Sequence, residues 1–303
     1  MRSGQPRGYP INNIWRKIMT IKTLLKNWEN QLLSDMDLQP AIDEMGTRKL
    51  LDGLLDNVGN LNSLVRENVL VAFWTLVWDK PALSSEECIY ALNTSLGDDF
   101  LFRNIGEDEG DAAFCRAFAS PFIMWIINAD GRQNFLSNDQ YMEALEKSID
   151  YMKREKDRRG FVYGKGTVHT IPHGSGLIWA LIEHPKFPME YVSTVLDMVK
   201  CCVLEKGRFA GADWADFGVA TIITHLLDRG VDEGIVMNWI ETLMPLVEAT
   251  IYTDEHYKYV QMGSNIELFL MYLYFELKQK DIYGDLQERI TQHMPKLRQK
   301  VYR

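Results

Sequence analysis

Apolar residues recur at intervals of three and four along almost the whole of this chain, and that spacing constrains the fold more than any other feature. It places apolar side chains on one face of an α-helix, where they form a stripe that packs against a neighbour. Four such stripes consist of Val65, Val69, Ala72, Phe73 and Leu76; Val192, Val195, Leu196, Val199 and Val203; Val236, Trp239, Ile240, Leu243 and Val247; and Ile266, Leu270, Leu273 and Leu277. The alternation of apolar and polar residues that is typical of half-buried strands is almost absent, so the pattern predicts an all-α protein.

The same spacing predicts about a dozen helices joined by short connections. They lie at 22–35, 40–57, 62–78, 84–95, 111–128, 137–154, 172–183, 189–205, 212–229, 232–249, 256–279 and 281–299. Ser84 with Glu87 and Ser137 with Gln140 have the spacing of a capping box. Short connections favour antiparallel neighbours, and a long series of helical hairpins tends to stack into a curved array. We therefore predict a right-handed α-α superhelix of antiparallel helical hairpins, similar to armadillo and HEAT repeats.

Composition predicts the domain limits. Residues 1–18 are rich in Gly, Pro and Arg and lack the apolar core of a secretory signal peptide. They form either a loose, disordered leader or an over-long start before Met19, and the alternative is an arm that packs through Ile14 and Trp15. Residues 19–303 contain no Gly/Ser-rich linker and are predicted to form a single all-helical domain.

Charge, hydropathy and cysteine content exclude several classes of protein. The formal net charge is −9 and the pI is about 5.3, which argues against a nucleic-acid-binding protein, because such a protein would carry a basic face. No apolar run reaches the roughly 18–20 residues that span a bilayer, so no membrane segment is predicted. None of the four cysteines, Cys88, Cys115, Cys201 and Cys202, belongs to a CxxC pair. We interpret them as reduced, mostly buried residues of a cytoplasmic protein.

One connection breaks the helical pattern and concentrates the residues that could perform chemistry. It runs from Lys153 to Leu177, reads KREKDRRGFVYGKGTVHTIPHGSGL, and contains five glycines and two histidines four residues apart. Its glycines permit positive φ and close approach of the backbone. Lys165, between two of them and just before a helix start, could help to hold an anion. The alternative interpretation is a glycine-shaped turn without a ligand.

His169 and His173 are the strongest candidates for chemistry in this connection. Residues four apart on an unbroken helix share a face and can ligate one metal. Pro172 disfavours helical geometry at the residue before it, so His173 is predicted in the first turn of a helix and His169 in the loop before that turn. A metal would need a third ligand such as Asp157 or Asp213, and HTIPH lacks the glutamate of HExxH. Three interpretations stay open: histidines that hold the loop through backbone hydrogen bonds, a ligand-contacting pair, and a metal site.

Charged residues in and near the connection need partners. Arg116 lies within an apolar helix, and a charge there should be paired if it is buried, so Asp111 or Asp157 is the predicted partner. We interpret Arg116 first as part of a structural ion pair and second as a ligand contact. Asp157 stands beside Arg158 and Arg159 and could direct a guanidinium towards the loop, although a solvated face is the default interpretation of such a charge run.

Three segments of the chain resemble one bacterial family. They are GEDEGDAAFCRAFASPFIMWIINAD at Gly106–Asp130, the run from Arg154 to Leu177, and SNIELFLMYLYFEL near the C-terminus. Together they resemble the family called domain of unknown function 2785 over about residues 100–280. The resemblance implies an all-helical, superhelical domain without an established activity. The positions that match the family pattern are Asp111, Phe114, Arg116, Phe118, Lys156, Asp157, Arg159, Gly160, Gly164, Lys165, Gly166, His169, His173 and Gly174.

The chain also departs from this family pattern. Thr167 stands where an aromatic residue is usual, and Pro172 replaces a small residue. Gly176 stands where an aspartate commonly follows the second histidine. If that aspartate binds a metal or orients a histidine, the chain is an inactive descendant of a working family.

The leading functional hypothesis is a cytoplasmic binding or scaffold protein whose connection at 153–177 faces a peptide, a protein or a small anionic ligand. Its predicted ligand-binding residues are Arg159, Gly160, Gly164, Lys165, Gly166 and Arg116. The alternative is a hydrolase-like enzyme in which His169 and His173 act as general base or metal ligands and Asp157 orients or ligates. Neither hypothesis names a cofactor, and neither includes nucleic acid or a membrane as a partner.

Overall fold

The computed structural model describes residues 20–29, 36–204, 215–245 and 256–301. The predicted leader at 1–18, Asp213 and Val247 lie outside the described residues. The helices within them are α1 (Ile21–Trp28), α2 (Gln39–Met45), α3 (Thr47–Leu55), α4 (Ser63–Trp74), α5 (Ser85–Ser95), α6 (Ala112–Gln133), α7 (Asn138–Arg154), α8 (Thr170–Glu183), α9 (Val192–Leu204), α10 (Ala215–Asp228), α11 (Glu233–Glu241), α12 (His256–Lys280) and α13 (Gly284–Val301). Strands β1 (Phe161–Val162) and β2 (Gly166–Thr167) lie between α7 and α8. The prediction of an all-α protein is confirmed, because each strand has only two residues.

The helices begin at the predicted caps and bury the predicted stripes. Ser84 and Ser137 each form a capping box, in which the serine hydroxyl accepts from a backbone N–H three residues on while Glu87 or Gln140 accepts from the serine N–H. Every stripe residue within the described ranges is buried, with exposed fractions from 0% to 7%. Burial of such side chains stabilises the fold by about 1.5–3 kcal/mol each relative to leaving them in water.

Of the helix boundaries that differ from the prediction, three have an evident local reason. The predicted helix at 40–57 is two helices, α2 and α3, because Gly46 adopts a φ of 82°, which interrupts the helical backbone. α6 continues to Gln133, and Asn134 ends it in the left-handed conformation. α8 begins at Thr170 rather than 172, so Pro172 falls in the first turn, where a backbone N–H would have no helical acceptor.

The helices pack in two rows. α4, α6, α8, α10 and α12 follow one another, and each contacts the next. Helices α5, α7 and α9 pack against α6, α8 and α10 respectively, and α7 also contacts α9. The most extensive contact joins α6 to α8, so these two helices form the middle of the hydrophobic core and position the connection between α7 and α8.

α6 is the one helix of the described ranges that is long and apolar enough to cross a membrane by length and composition. Its most apolar 18-residue window has a mean hydropathy of 1.3, although Arg116 lies within the helix. However, 78% of that window is buried inside the protein, which is the pattern of a core helix packed on its neighbours. A helix was predicted here at 111–128, but no apolar run of this length was predicted.

Candidate functional site

The connection between α7 and α8 folds as a β-hairpin on an extended stem. Phe161 pairs with Thr167 and Val162 with Gly166, in antiparallel register. The turn is closed by the N–H of Lys165, which donates to the carbonyl oxygen of Val162 at 3.0 Å. Two of the predicted glycines, at 164 and 166, have φ of 78° and 84°, a region that side chains other than glycine rarely enter. The glycines therefore shape a tight turn.

Arg116 holds the stem of this hairpin from α6. Its side chain is completely buried, and its guanidinium donates to both carboxylate oxygens of Glu155, at 2.7 and 2.8 Å. Burial alone would lower the pKa of Arg116, but the bidentate pair with Glu155 raises it above its ordinary value. The remaining donors reach the carbonyl oxygens of Arg103 and Glu107. The predicted ion pair exists, but the predicted partners, Asp111 and Asp157, are wrong.

Asp157 and Arg159 form a second ion pair beside the first, in which the Arg159 side chain is 22% exposed. The Arg159 guanidinium donates to the Asp157 carboxylate through Nε and Nη2, at distances of 2.5 to 3.0 Å, and to the carbonyl oxygen of Gly110 at 2.9 Å. Asp157 is fully buried, and its N–H donates to Glu155, which links the two pairs. The pair with Asp157 raises the pKa of Arg159 further. Asp157 therefore orients an arginine rather than either histidine.

Lys165, in the turn of the hairpin, is paired with Asp111 at the start of α6. Its Nζ donates to both oxygens of the Asp111 carboxylate, at 2.6 and 2.7 Å. Both side chains are partly exposed, so the pair contributes no more than ~1 kcal/mol. An incoming anion would compete with Asp111 for this ammonium group.

Arg66 of α4 holds the hairpin from the opposite side and was missed by the sequence analysis. Its side chain has no exposed surface. Nη2 donates to the carbonyl oxygens of Lys165 and Thr167, at 2.8 and 3.2 Å, and Nη1 donates to that of Asn60 at 2.7 Å. Lys165 and Thr167 lie about a hundred residues later in the chain, and Asn60 lies in the loop before α4. Nothing in the local sequence pattern could have identified these acceptors.

Burial of Arg66 is compensated by aromatic rings rather than by a carboxylate hydrogen bond. Its guanidinium lies over the rings of Phe114 and Phe118, at 4.4 and 4.8 Å from their centroids. Burial lowers the pKa of Arg66 to about 10, partly offset by the charge of Glu67. We call Arg66, Arg116, Glu155, Asp157 and Arg159 the hairpin clamp, because together they fix the backbone on both sides of the hairpin.

His173 lies in the first turn of α8, as predicted, and donates a hydrogen bond to a carbonyl oxygen of α6 that lacks its helical donor. Pro121 has no N–H, so the carbonyl oxygen of Ala117, four residues earlier, lacks its helical donor. Nδ1 of His173 lies 3.0 Å from that oxygen and must be the donor. The neutral ring then carries an acceptor lone pair on Nε2. Burial and the nearby charge of His169 lower the pKa of His173 to about 4.

His169 adjoins His173 at the start of α8. It precedes α8 with a φ of 59°, and the two imidazole rings are perpendicular with centroids 5.3 Å apart. Burial raises the pKa of the Glu67 carboxylate, and the nearby charges of Arg66 and His169 partly offset that rise. No group of three His, Cys, Asp or Glu side chains within the described residues has the arrangement of a metal site.

Gly176, one turn after His173, faces α6 rather than the two histidines. A Cβ atom added at this glycine would lie 3.4 Å from the sulfur of Met124, which is ordinary van der Waals contact. The Cβ atom of an aspartate at this position would therefore contact α6.

The end of the hairpin exposes aromatic side chains. Tyr163 is 95% exposed and Phe161 is 66% exposed, whereas Val162 between them packs on Ala113 and Phe114. We call residues 161–164 the hairpin tip. Arg158, in the stem, forms no ion pair with any residue that the structure describes, and its Nε is buried without a hydrogen-bond acceptor.

Comparison with known families gives one match. The pattern of a family described as "Protein of unknown function (DUF2785)" matches residues 101–275, more than half of the chain. The chain belongs to this family. Comparisons with curated proteins and with solved structures gave no match.

The residues that match the DUF2785 family include most of the candidate site but not all of it. The hairpin, His169, His173 and four residues of the hairpin clamp lie within residues 101–275. Arg66 and Glu67 precede the matched region, although they contact or influence its centre. The region that matches the family therefore depends on α4 for one side of its hairpin.

Proposed function

We propose that this protein is a binding module that engages a peptide or protein ligand through the hairpin tip. The observation that carries the proposal is the exposure of Tyr163 and Phe161, at 95% and 66%, on a hairpin whose backbone is held from both sides. Exposed aromatic residues are enriched at protein interfaces, where they contribute much of the binding free energy.

The hairpin clamp supports this proposal through preorganisation. Arg66 fixes the backbone at Lys165 and Thr167, while Arg159 joins the stem to Gly110. A segment that is already ordered loses less conformational entropy when it binds, so its aromatic side chains contribute more of their interaction to affinity. Clamping of this kind is what a recognition hairpin requires.

The connection could also receive an acidic group of the ligand. Lys165 and Arg159 already have carboxylate partners, whereas Arg158 forms no ion pair within the described ranges. A guanidinium binds carboxylates and phosphates in bidentate fashion. We therefore place the anionic part of the ligand at Arg158 rather than at Lys165, and we propose no cofactor.

The scaffold of this module is proposed to be a right-handed α-α superhelix of antiparallel helical hairpins, of the armadillo/HEAT-like kind, in a cytoplasmic protein. Support comes from the two rows of helices, since successive even-numbered helices contact each other while α5, α7 and α9 pack on one side. Such arrays commonly present one extended surface to a ligand.

Site-specific crosslinking tests the binding proposal. A photo-crosslinking amino acid at position 163 should capture a ligand that the same group at Phe275, an aromatic residue of α12 that is 54% exposed, does not capture. The captured protein is then purified and its affinity measured for the wild type, Tyr163→Ser and Phe275→Ser. Loss of a central aromatic contact should weaken binding by roughly 30-fold or more for Tyr163→Ser alone. Equal affinities of the three proteins would refute the proposal.

A hydrolase-like enzyme is the second candidate, and one observation favours it. The hydrogen bond from His173 to Ala117 leaves Nε2 as a fixed acceptor beside His169, and a general base needs such a nitrogen. Against it, Asp157 is engaged by Arg159, and a pKa of about 4 makes His173 a weak base near neutral pH. In this alternative, Glu67 replaces Asp157 as the carboxylate near the histidines.

A substrate panel of chromogenic esters, amides and phosphoesters tests the enzyme candidate. His173→Gln should abolish any activity found, whereas His225→Gln should preserve it, because His225 lies beyond the far end of α8 and pairs with Glu183. Activity that survives His173→Gln would exclude this role for the histidine.

A further inference from the structure

We infer that the ligand binds as an added β-strand along the outer edge of β1, an inference that rests on the proposed function. The occupant is an extended segment of another protein, with apolar or aromatic side chains at alternate positions. The inference follows from which backbone groups of the hairpin are already used and which are not.

Hydrogen bonding within the hairpin fixes the direction of each backbone group. The N–H of Val168 donates to the carbonyl oxygen of Gly160 at 3.0 Å, so this pair faces inward. In an antiparallel ladder, hydrogen-bonded and non-hydrogen-bonded pairs alternate, so the next pair, Phe161 and Thr167, points its N–H and C=O groups outward. The hairpin therefore has outward-facing N–H and C=O groups on the outer edge of β2 and on the outer edge of β1.

The outer edge of β2 is closed. The outward carbonyl oxygen of Thr167 accepts from Arg66 at 3.2 Å, and that of Lys165 accepts from the same nitrogen at 2.8 Å. Because Arg66 is fully buried, this edge faces the protein interior. Arg66 therefore uses the carbonyl oxygens that would otherwise accept hydrogen bonds from an added strand.

The outer edge of β1 is open. Among the residues that the structure describes, neither the N–H nor the C=O of Phe161 has a hydrogen-bond partner, and the side chain is 66% exposed. An extended peptide provides the complementary acceptor and donor in one residue, which is how added strands bind to sheet edges. A helical ligand has no free backbone groups at that spacing, because its N–H and C=O groups bond to each other.

Side-chain alternation specifies the chemistry of the occupant. Val162 points towards Ala113 and Phe114, so Phe161 lies on the opposite, solvent-facing side of β1, and Tyr163, the first residue of the turn, is 95% exposed. An added strand alternates in the same way, and the side chains on its solvent-facing side lie against Phe161 and Tyr163. Apolar or aromatic residues at every second position of the ligand complete this contact.

A peptide selected on the full chain tests the inference. Phage-displayed random 12-residue peptides are selected on the wild type and depleted on Tyr163→Ser, and the recovered peptide is synthesised. Strand addition predicts that N-methylation at alternate residues of this peptide weakens binding about tenfold or more, while methylation between them has little effect. The amide proton of Phe161 should exchange more slowly in the complex.

Two variants of one residue separate the backbone contribution from the aromatic one. Phe161→Val retains the N–H and removes the ring, whereas Phe161→Pro removes both. Affinity for the selected peptide should fall about tenfold further in Phe161→Pro than in Phe161→Val. The methylated peptides are measured on the wild type, so that result does not depend on the folding of Phe161→Pro.

The outcomes distinguish this inference from the proposed function. Equal affinity of the two variants, uniform sensitivity to N-methylation and an unprotected Phe161 amide would overturn strand addition and leave the hairpin tip as an aromatic contact surface. If no recovered peptide depends on Tyr163, the proposed function fails and the inference fails with it.

Discussion

The hairpin clamp and the hairpin tip belong to the same hairpin region of the structure and are opposite in physical character. In the clamp, Arg66, Arg116 and Asp157 are fully buried and every carboxylate has an arginine partner. In the tip, Tyr163 and Phe161 are among the most exposed large hydrophobic side chains described. Buried polar groups are stable only when they are paired, as they are in the clamp. The paired groups also fix the backbone that carries the exposed aromatic side chains of the tip.

Arg116→Met should have the largest effect on stability. It leaves the Glu155 carboxylate buried without its bidentate partner, so we expect a loss of about 3–5 kcal/mol in the free energy of unfolding. Urea unfolding monitored by circular dichroism measures the loss. The double variant Arg116→Met with Glu155→Leu is the control, because it removes both charges and should recover much of the stability. A loss below about 1 kcal/mol for the single variant would show that the clamp is not a stabilising element.

Arg66→Met should have the next largest effect on stability and should loosen the β2 side of the hairpin. Three carbonyl oxygens lose their donor, so we expect a loss of about 2–3 kcal/mol and faster hydrogen exchange at Val168. Arg48→Met is the matched control, since Arg48 is exposed, where it pairs with Asp52 and lies over the ring of Tyr90, and its loss should lower stability much less than that of Arg66. Unchanged exchange at Val168 in Arg66→Met would contradict the role assigned to Arg66.

The lowered pKa of His173 predicts acid sensitivity. The folded protein resists protonation of this ring until about pH 4, whereas the unfolded chain takes up the proton near the ordinary value of 6.5. The stabilisation by neutral His173 is therefore present above pH 6.5 and is lost as the pH falls towards 4. In urea unfolding across this window, the wild type should lose more stability than His173→Gln. Parallel pH profiles would show that His173 titrates normally.

Tyr163→Ser should have the smallest effect on stability and the largest effect on ligand binding. Its side chain is 95% exposed, so the free energy of unfolding should change by about 0.5 kcal/mol or less. The thermal midpoint of the variant should match that of the wild type, while its affinity for the ligand identified by crosslinking falls. A large fall in stability would mean that the tip has a structural role and would remove the contrast with the clamp.

Local patterns predicted the helices because their signals lie within a few residues. The capping boxes at Ser84 and Ser137 and the buried stripes needed only spacing, and the first turn of α8 at His173 followed from Pro172. The hairpin was recognisable as a glycine turn but not as strands, because two-residue strands give no alternating pattern.

The partners of the buried charges were predicted less well, because they are set by packing. Asp111 or Asp157 was predicted as the partner of Arg116, but packing of the end of α7 brings Glu155 to it instead. Arg66 reaches Lys165, 99 residues later in the chain, which no local pattern reports. The pairing of His173 with Ala117 did have a signal, since Pro121 leaves that carbonyl without a donor, but only the contact of α6 with α8 supplies the histidine.

The sequence by itself determined that the chain is helical, where most helices begin, and which connection carries the glycines and histidines. These properties depend on residues within one or two turns of each other, so the covalent order specifies them. Tertiary structure alone decided that Arg66 closes one edge of the hairpin and that Phe161 is left facing solvent. Those contacts join segments far apart in the chain, and their geometry exists only once α4, α6 and α8 have packed.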